Sequence, residues 1–216
     1  MKAQLLDASV VVVAQDHNPT ILHPAFLESQ QIVPSDWQLA EPPICTPPAS
    51  VVKYANGVVF VVDLNRLQVV DKAAAEEILG GRVRDLASAY IDRLPHVRYT
   101  DVGINFHAFA QCVDPERFLV ERFLKPGLWD SAPFKLQSLG VRLVFPRAGA
   151  TLLLSCDCGT VKIPDKGEQK AILVGCNYHT HLVAQNVEQA KSAIARFDEW
   201  ADDFASVLKA IVDLEL

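Results

Sequence analysis

Runs of aliphatic and β-branched residues dominate the chain and are separated by turn residues. The first run, ASVVVVA at residues 8–14, is typical of a strand that is covered on both faces. Residues 50–71 hold two such runs around Asn56-Gly57, which predicts a hairpin with a two-residue type I′ turn. A second turn over residues 64–66 adds a third strand, so this part of the chain is predicted to be a meander.

The same pattern predicts further strands in the second half of the chain. Alternating apolar residues predict a strand over residues 100–111 and two strands around Arg147-Ala148-Gly149. A turn over residues 164–169 then leads into a last strand over residues 170–184. Since strands predominate and turns are short, we expect most of them to pair antiparallel.

Helices are predicted where apolar residues recur every three or four positions. One helix spans residues 71–94, with Asp71 as its N-cap and Gly80-Gly81 as a point of kinking or breakage. A second helix begins at Asp114, directly before a proline. The last helix begins at the capping box formed by Asn186 and Gln189 and runs to the C-terminus.

The apolar residues of the last helix form a stripe along one side of it, and this stripe allows two interpretations. Its apolar residues alternate in spacing between four and three, as on a packed helix or a coiled-coil seam. The helix is therefore predicted either to lie on its own sheet or to form a homodimer. The residues of this stripe are Ala190, Ile194, Phe197, Ala201, Phe204, Leu208 and Ile211.

An internal repeat accompanies these elements. The sequence VGINFH at residues 102–107 returns as VGCNYH at residues 174–179, and the match extends without a gap from strand to helix cap. We interpret it as an internal duplication within a single domain of residues 1–216, with pseudo-repeats of about 1–125 and 126–216. The predicted fold class is α+β: a mainly antiparallel sheet with helices packed on it and a long C-terminal helix.

A proline-rich arm, residues 19–48, belongs to the first pseudo-repeat. Proline removes backbone donors, so neither a central strand nor a long helix is expected there. The arm is predicted to lie extended across the body of the protein, anchored by Ile32, Trp37 and Ile44.

Composition narrows the classes of function. Half of the 216 residues are hydrophobic and the net charge is −6, which fits a globular protein and disfavours binding to nucleic acid. No signal peptide is recognisable, and no apolar stretch approaches the ~20 residues of a membrane helix. Five cysteines without a disulfide-scaffold spacing predict a reduced, cytoplasmic protein.

The repeat also suggests a candidate binding site. Because strand side chains alternate between faces, the repeated glycine, asparagine and histidine share one face, and the aromatic residue lies on the other. These polar residues either satisfy buried hydrogen-bonding groups or line a groove. The candidate binding residues are Asn105, His107, Asn177, His179 and His181.

A second, competing site involves cysteine. Cys156 and Cys158 lie on the strand before the one that carries His179 and His181, and thiolates with imidazoles are zinc ligands. The spacing C-x-C is not the usual C-x2-C, so free cysteines packed as small hydrophobic residues are the alternative. A cysteine nucleophile with a histidine base would need the same proximity.

These observations favour a non-enzymatic protein-binding or assembly module, such as an adaptor, a chaperone-like protein or a subunit of a complex. The alternative is a metal-binding protein or an enzyme that uses the cysteine and histidine cluster. We expect a protein partner or a homodimer through the C-terminal helix, with neither nucleic acid nor membrane involved. No cofactor is expected, except zinc in the alternative.

Overall fold

A single sheet organises the structure, a computed structural model that describes residues 1–15, 17–163 and 167–216. The predicted turn over residues 164–169 lies partly outside the described residues. Within them, nine strands pair antiparallel in the order β2-β3-β4-β5-β1-β6-β9-β8-β7. The strands are β1 (Gln4–Gln15), β2 (Ile44–Cys45), β3 (Ala49–Lys53), β4 (Val58–Asp63), β5 (Arg66–Asp71), β6 (Arg98–Gln111), β7 (Val141–Arg147), β8 (Ala150–Ile163) and β9 (Gly167–His181).

The helices are shorter than the sequence predicts. The predicted helix over residues 71–94 breaks at Gly80-Gly81, and the C-terminal helix breaks at Ala195-Arg196 and ends in a π-helical turn at Leu208–Val212. The prediction of one long C-terminal helix was therefore wrong. The helices are α1 (Pro24–Ser29), α2 (Ala75–Leu79), α3 (Arg82–Asp92), α4 (Pro115–Phe123), α5 (Val187–Ile194) and α6 (Phe197–Val207), with 3-10 turns at Pro19–Ile21 and Leu128–Asp130.

Two predicted helix caps are present and one is not. Asp114 accepts a hydrogen bond from the amide of Arg117 at 3.0 Å, and Asn186 accepts one from the amide of Gln189 at 2.9 Å. Asp71, predicted as a cap, instead ends β5 with no exposed surface and binds the guanidinium of Arg82 through two contacts of 2.8 Å. A buried carboxylate needs such a partner, so the ion pair takes the place of the cap.

The hairpin between β3 and β4 also differs in detail. The amide of Tyr54 bonds to the carbonyl of Val58 at 2.9 Å, which leaves a loop of residues 55–57 rather than the predicted two-residue turn. Gly57 has a φ of +89°, a conformation that glycine adopts without strain. This geometry matches a three-residue hairpin loop that ends in a glycine bulge.

The two faces of the sheet differ in burial. The face called here the covered face carries the hydrophobic core, in which Phe106 on β6 lies 5.1 Å from Phe197 and 5.3 Å from Phe204 between ring centroids. Tyr178 on β9 stacks on Trp200 at 4.8 Å. On the opposite face, called here the open face, most side chains are half-buried or exposed.

The apolar stripe of the C-terminal segment belongs to the core. Five of its members are buried, and Ala201 and Ile211 pack against them. The stripe therefore lies against the chain's own core, and its residues are not free to form the predicted homodimer seam. The five buried members are Ala190, Ile194, Phe197, Phe204 and Leu208.

The proline-rich arm contains α1, which the sequence did not predict. Ile32 is buried, and Trp37 contacts Tyr54 with ring centroids 5.2 Å apart, so these two residues anchor the arm as expected. Ile44 is 52% exposed and was wrongly predicted as an anchor. Within the described residues, no helix combines the length and apolar character required to cross a bilayer.

Candidate functional site

The five candidate residues predicted from the repeat lie together on the open face. Strands β6 and β9 are neighbours, with Asn105 directly opposite Asn177 and Gly103 opposite His179. Strand β1 pairs with the other side of β6 and adds polar residues that the repeat does not contain. Together they form a continuous band, called here the polar strip: Asp7, Ser9, Asp101, Asn105, His107, Asn177, His179 and His181.

The centre of the polar strip is a ladder of hydrogen bonds across three strands. Asn177 donates its amide hydrogen to Oδ1 of Asn105 at 2.6 Å, and Asn105 donates to Oγ of Ser9 at 3.1 Å. A Cβ at Gly103 would lie 3.1 Å from Nδ2 of Asn177, so the glycine leaves room for the amide. Asn177 therefore supplies the donor for the side-chain oxygen of Asn105, which accounts for part of the repetition of asparagine.

One end of the polar strip holds an aspartate–histidine pair. Nδ1 of His107 lies 2.7 Å from Oδ1 of Asp7, while 48% of the His107 side chain is exposed. The hydrogen bond to Asp7 raises the pKa of His107, and partial burial opposes that rise without cancelling it. The pair thus presents an imidazole that carries a positive charge at a higher pH than a free histidine would.

The other end of the polar strip has two histidines on one carboxylate. Oδ1 of Asp101 lies 3.0 Å from Nδ1 of His181 and 3.2 Å from Nε2 of His179. Partial burial raises the pKa of Asp101, but hydrogen bonds from His181 and Thr100 and the nearby histidines outweigh it, so the net pKa is lowered. Asp101 is therefore a negative centre between two exposed imidazoles.

A shallow cavity of about 250 Å³ adjoins the His107 end. Gly175 forms part of its floor, where a Cβ would lie 2.9 Å from Oγ of Ser155 and 3.2 Å from Cδ2 of His107. Apolar and polar side chains both line this cavity. Its walls include Leu6, Asp7, His107, Ser155, Asp157 and Leu173.

Aliphatic side chains continue the open face on both sides of the polar strip. Residues that pair side by side across the strands form one row, which begins with Val59 and Val70, passes through the asparagine ladder and ends with Leu153 and Val144. Val144 is 64% exposed, and the other three are half-buried. These residues are called here the apolar flanks: Val51, Val59, Val61 and Val70 on one side, and Val144, Leu153 and Leu173 on the other.

The structure does not bring the predicted cysteine and histidine cluster together. Cys156 is fully buried in the core and Cys158 packs against it, whereas His179 and His181 are exposed on the open face. In the register, Cys156 pairs with Val174, and His179 pairs with Thr151. Among the described residues, no group of three histidine, cysteine or acidic side chains has the geometry to hold a metal ion.

Cys156 and Cys176 also lack the environment of a nucleophile. Burial raises the pKa of Cys156 and that of Cys176 to about 12, so both thiols are protonated at neutral pH. A thiol nucleophile requires a thiolate, which a cationic or polar neighbourhood stabilises. Both residues instead pack as small hydrophobic side chains, the alternative given by the sequence.

Asp7, Ser9 and Asp101 belong to the polar strip, but the sequence did not indicate them as candidates. Each acquires its role by pairing across strands: Asp7 lies opposite His107, Ser9 opposite Asn105 and Asp101 opposite His181. Nothing local to residues 4–15 indicates that β1 lies beside β6. Comparison with known proteins adds no further guide, because no family model and no curated protein matches the chain.

Titration of His107 is expected to depend on Asp7. The wild-type imidazole should titrate above pH 6.5, and Asp7→Asn should lower its pKa because the charged acceptor is lost. The pair then stabilises the fold below about pH 6.5, and this stabilisation is lost as the pH rises through the raised pKa. Since half of the imidazole is exposed, water screens the pair and its contribution should stay below about 1 kcal/mol.

The measurement is an NMR titration of the His107 ring protons. Asp157→Asn is the matched control, since Asp157 lines the same cavity without a hydrogen bond to His107. Equal pKa values for His107 in the wild type and in Asp7→Asn would contradict the assigned pair.

Proposed function

We propose that this protein is a non-enzymatic binding module that docks a protein partner on the open face. The observation that carries the proposal is the presence of the apolar flanks on a sheet face that is otherwise accessible. An antiparallel sheet with one solvated face normally alternates between core residues and polar residues. Contiguous aliphatic side chains on the solvated face are instead typical of an interaction surface.

The polar strip supports specificity within this surface. Protein interfaces combine apolar contact with about one hydrogen bond per 100–200 Å². The His107 and Asp101 groups are already held by their neighbours, so little side-chain entropy would be lost when a partner binds. A partner that places polar groups over the strip and apolar groups over the flanks would bind best.

We also infer an internal duplication, with a boundary different from the one the repeat suggests. The order of elements β1, α1, β3–β5, α2–α3 recurs along the chain as β6, α4, β7–β9, α5–α6. In the sheet, β5, β4 and β3 follow β1 toward one edge, just as β9, β8 and β7 follow β6 toward the other. These parallels favour halves that divide near residue 97. The sequence similarity at an offset of 72 residues instead relates β6 to β9, which is its neighbour in the sheet. The polar strip then lies where the halves meet.

Photo-crosslinking in the native cell tests the binding function. A photoreactive amino acid is placed at Val61 or Leu153 on the apolar flanks, and at Val113 or Val183 as controls. The controls are 95% and 84% exposed, in turns next to helices. We expect discrete protein adducts from the two flank positions and none from the controls.

The adducts are identified by mass spectrometry after denaturing purification. A second copy of the chain and a different protein both count as partners in this experiment. Adducts that form equally at all four positions, or at none, would contradict a binding role for the open face.

A further inference from the structure

We propose that the partner on the open face is a second copy of this chain, stacked face to face on the first. This inference rests on the proposed function and names the occupant of that surface. The predicted seam along the C-terminal segment is buried, so a homodimer must use another surface. Three features of the open face indicate that it is the one: its area, its charge and its layout.

The area of the open face suits a stable dimer. Eight strands from β3 to β7 lie side by side, and at ~4.8 Å per strand they span about 35 Å. Three or four outward-facing residues per strand extend roughly 20 Å along the strands, since alternate residues are about 7 Å apart. The face thus offers roughly 700 Å², close to the ~800 Å² per partner of a standard interface.

The charge of the open face permits approach of an identical copy. The whole chain carries a net charge of −6, so two copies repel one another over most orientations. On the open face, carboxylates exceed lysine and arginine side chains by two, a smaller excess than that of the whole chain, and two of the carboxylates are already paired: Asp63 with Arg66 at 3.0 Å and Glu41 with Lys53 at 2.9 Å. The carboxylates on this face are Asp7, Asp63, Asp101, Asp157 and the Glu41 that binds Lys53, and the cations are Lys53, Arg66 and Arg142, together with three histidines.

The acidic excess lies on other surfaces. The exposed side of α6 carries Asp198, Glu199 and Asp202, of which Asp198 pairs with Arg84 at 2.6 Å and Glu199 pairs with Arg196 at 2.7 Å. A negatively charged partner would be repelled there. The open face is therefore the large apolar surface on which like copies meet the least electrostatic repulsion.

The layout of the open face is self-complementary. A two-fold dimer brings the same patch of both copies together, so apolar must meet apolar and polar must meet polar. The strands of the polar strip, β1, β6 and β9, lie centrally in the sheet, and the apolar flanks except Leu173 lie on the strands to either side. The two-fold axis would lie in the plane of the interface, either along the strands or across them. With either axis, the polar strip of one copy faces the polar strip of the other, and apolar flanks face apolar flanks. Stacked sheets of this kind lie about 10 Å apart.

Sedimentation velocity on the purified chain of 216 residues tests the dimer. From about 1 to 100 μM, we expect a species of twice the 23.8 kDa monomer mass. Val61→Glu and Leu153→Glu should each weaken the dimer by about 100-fold, because each copy then buries an unpaired charge. Val113→Glu makes the same change off the open face and should leave the dimer unchanged.

A second measurement remains decisive if the glutamate variants do not fold. The photoreactive residue at Leu153 should crosslink purified protein to itself, whereas the residue at Val183 should not. A chain that stays monomeric at 100 μM overturns the face-to-face dimer but leaves the binding function, since adducts to another protein in cells would still support it. A dimer that persists in both glutamate variants places the interface elsewhere and also overturns the inference.

Discussion

Replacement of Phe106 by alanine is expected to lower the free energy of unfolding by about 3–5 kcal/mol. Phe106 has no exposed surface and contacts three rings: Tyr178 on the neighbouring strand, and Phe197 and Phe204 on α6. The alanine side chain leaves a cavity, and the three rings cannot easily move into it because β9 and α6 hold them in place. Urea unfolding followed by circular dichroism measures the loss.

Phe134→Ala serves as the matched control for this substitution. The side chain of Phe134 is 67% exposed in the segment between α4 and β7, so its removal should change stability by less than about 0.5 kcal/mol. Similar losses in both variants would mean that Phe106 does not join β6 to α6 as described.

Replacement of Arg82 by alanine is expected to cost about 3 kcal/mol. The guanidinium makes two contacts of 2.8 Å to the fully buried Asp71 and also donates to the carbonyl of Asn56 at 3.2 Å. It therefore joins α3 to the end of β5 and to the β3–β4 hairpin loop. Without the guanidinium, the Asp71 carboxylate stays buried and, within the described residues, keeps the amide of Ala73 as its hydrogen-bond donor.

A double substitution separates lost pairing from lost packing. Arg82→Met with Asp71→Leu removes both charges and should recover most of the stability, because no unpaired buried charge remains. Arg117→Ala breaks an exposed pair with Glu121, and it should leave the stability in the same urea assay nearly unchanged, because water screens the pair. If Arg82→Ala were no more harmful than Arg117→Ala, the buried pair would not have the assigned role.

Local features of the fold were predictable because they depend on neighbours in sequence. The break at Gly80-Gly81 and the cap at Asp114 follow from backbone chemistry within a few residues. Alternation along a strand also correctly separated the polar residues of VGINFH from Phe106. Inferences of this local kind need only the spacing at which side chains return to the same side of a strand or a helix.

Relations between strands could not be predicted in the same way. Each strand has two faces, and which face meets the core depends on register, which the isolated strand does not reveal. Cys156 and His179 look adjacent in a hairpin, yet the register places them on opposite faces of the sheet. The roles of Asp7 and Asp101 likewise required the position of β1 beside β6.

The central position of β1 has a consequence for synthesis of the chain. Ser9 and Asn105, which are hydrogen-bonded across the sheet, are 96 residues apart in sequence. During translation, the four valines of β1 can pair with β5 on one side, but their other edge stays open until β6 leaves the ribosome. An open, apolar strand edge is a template for aggregation, and contacts of long range form slowly. Nascent chains that stop before Arg98 are therefore the species for which we expect the greatest need of chaperones.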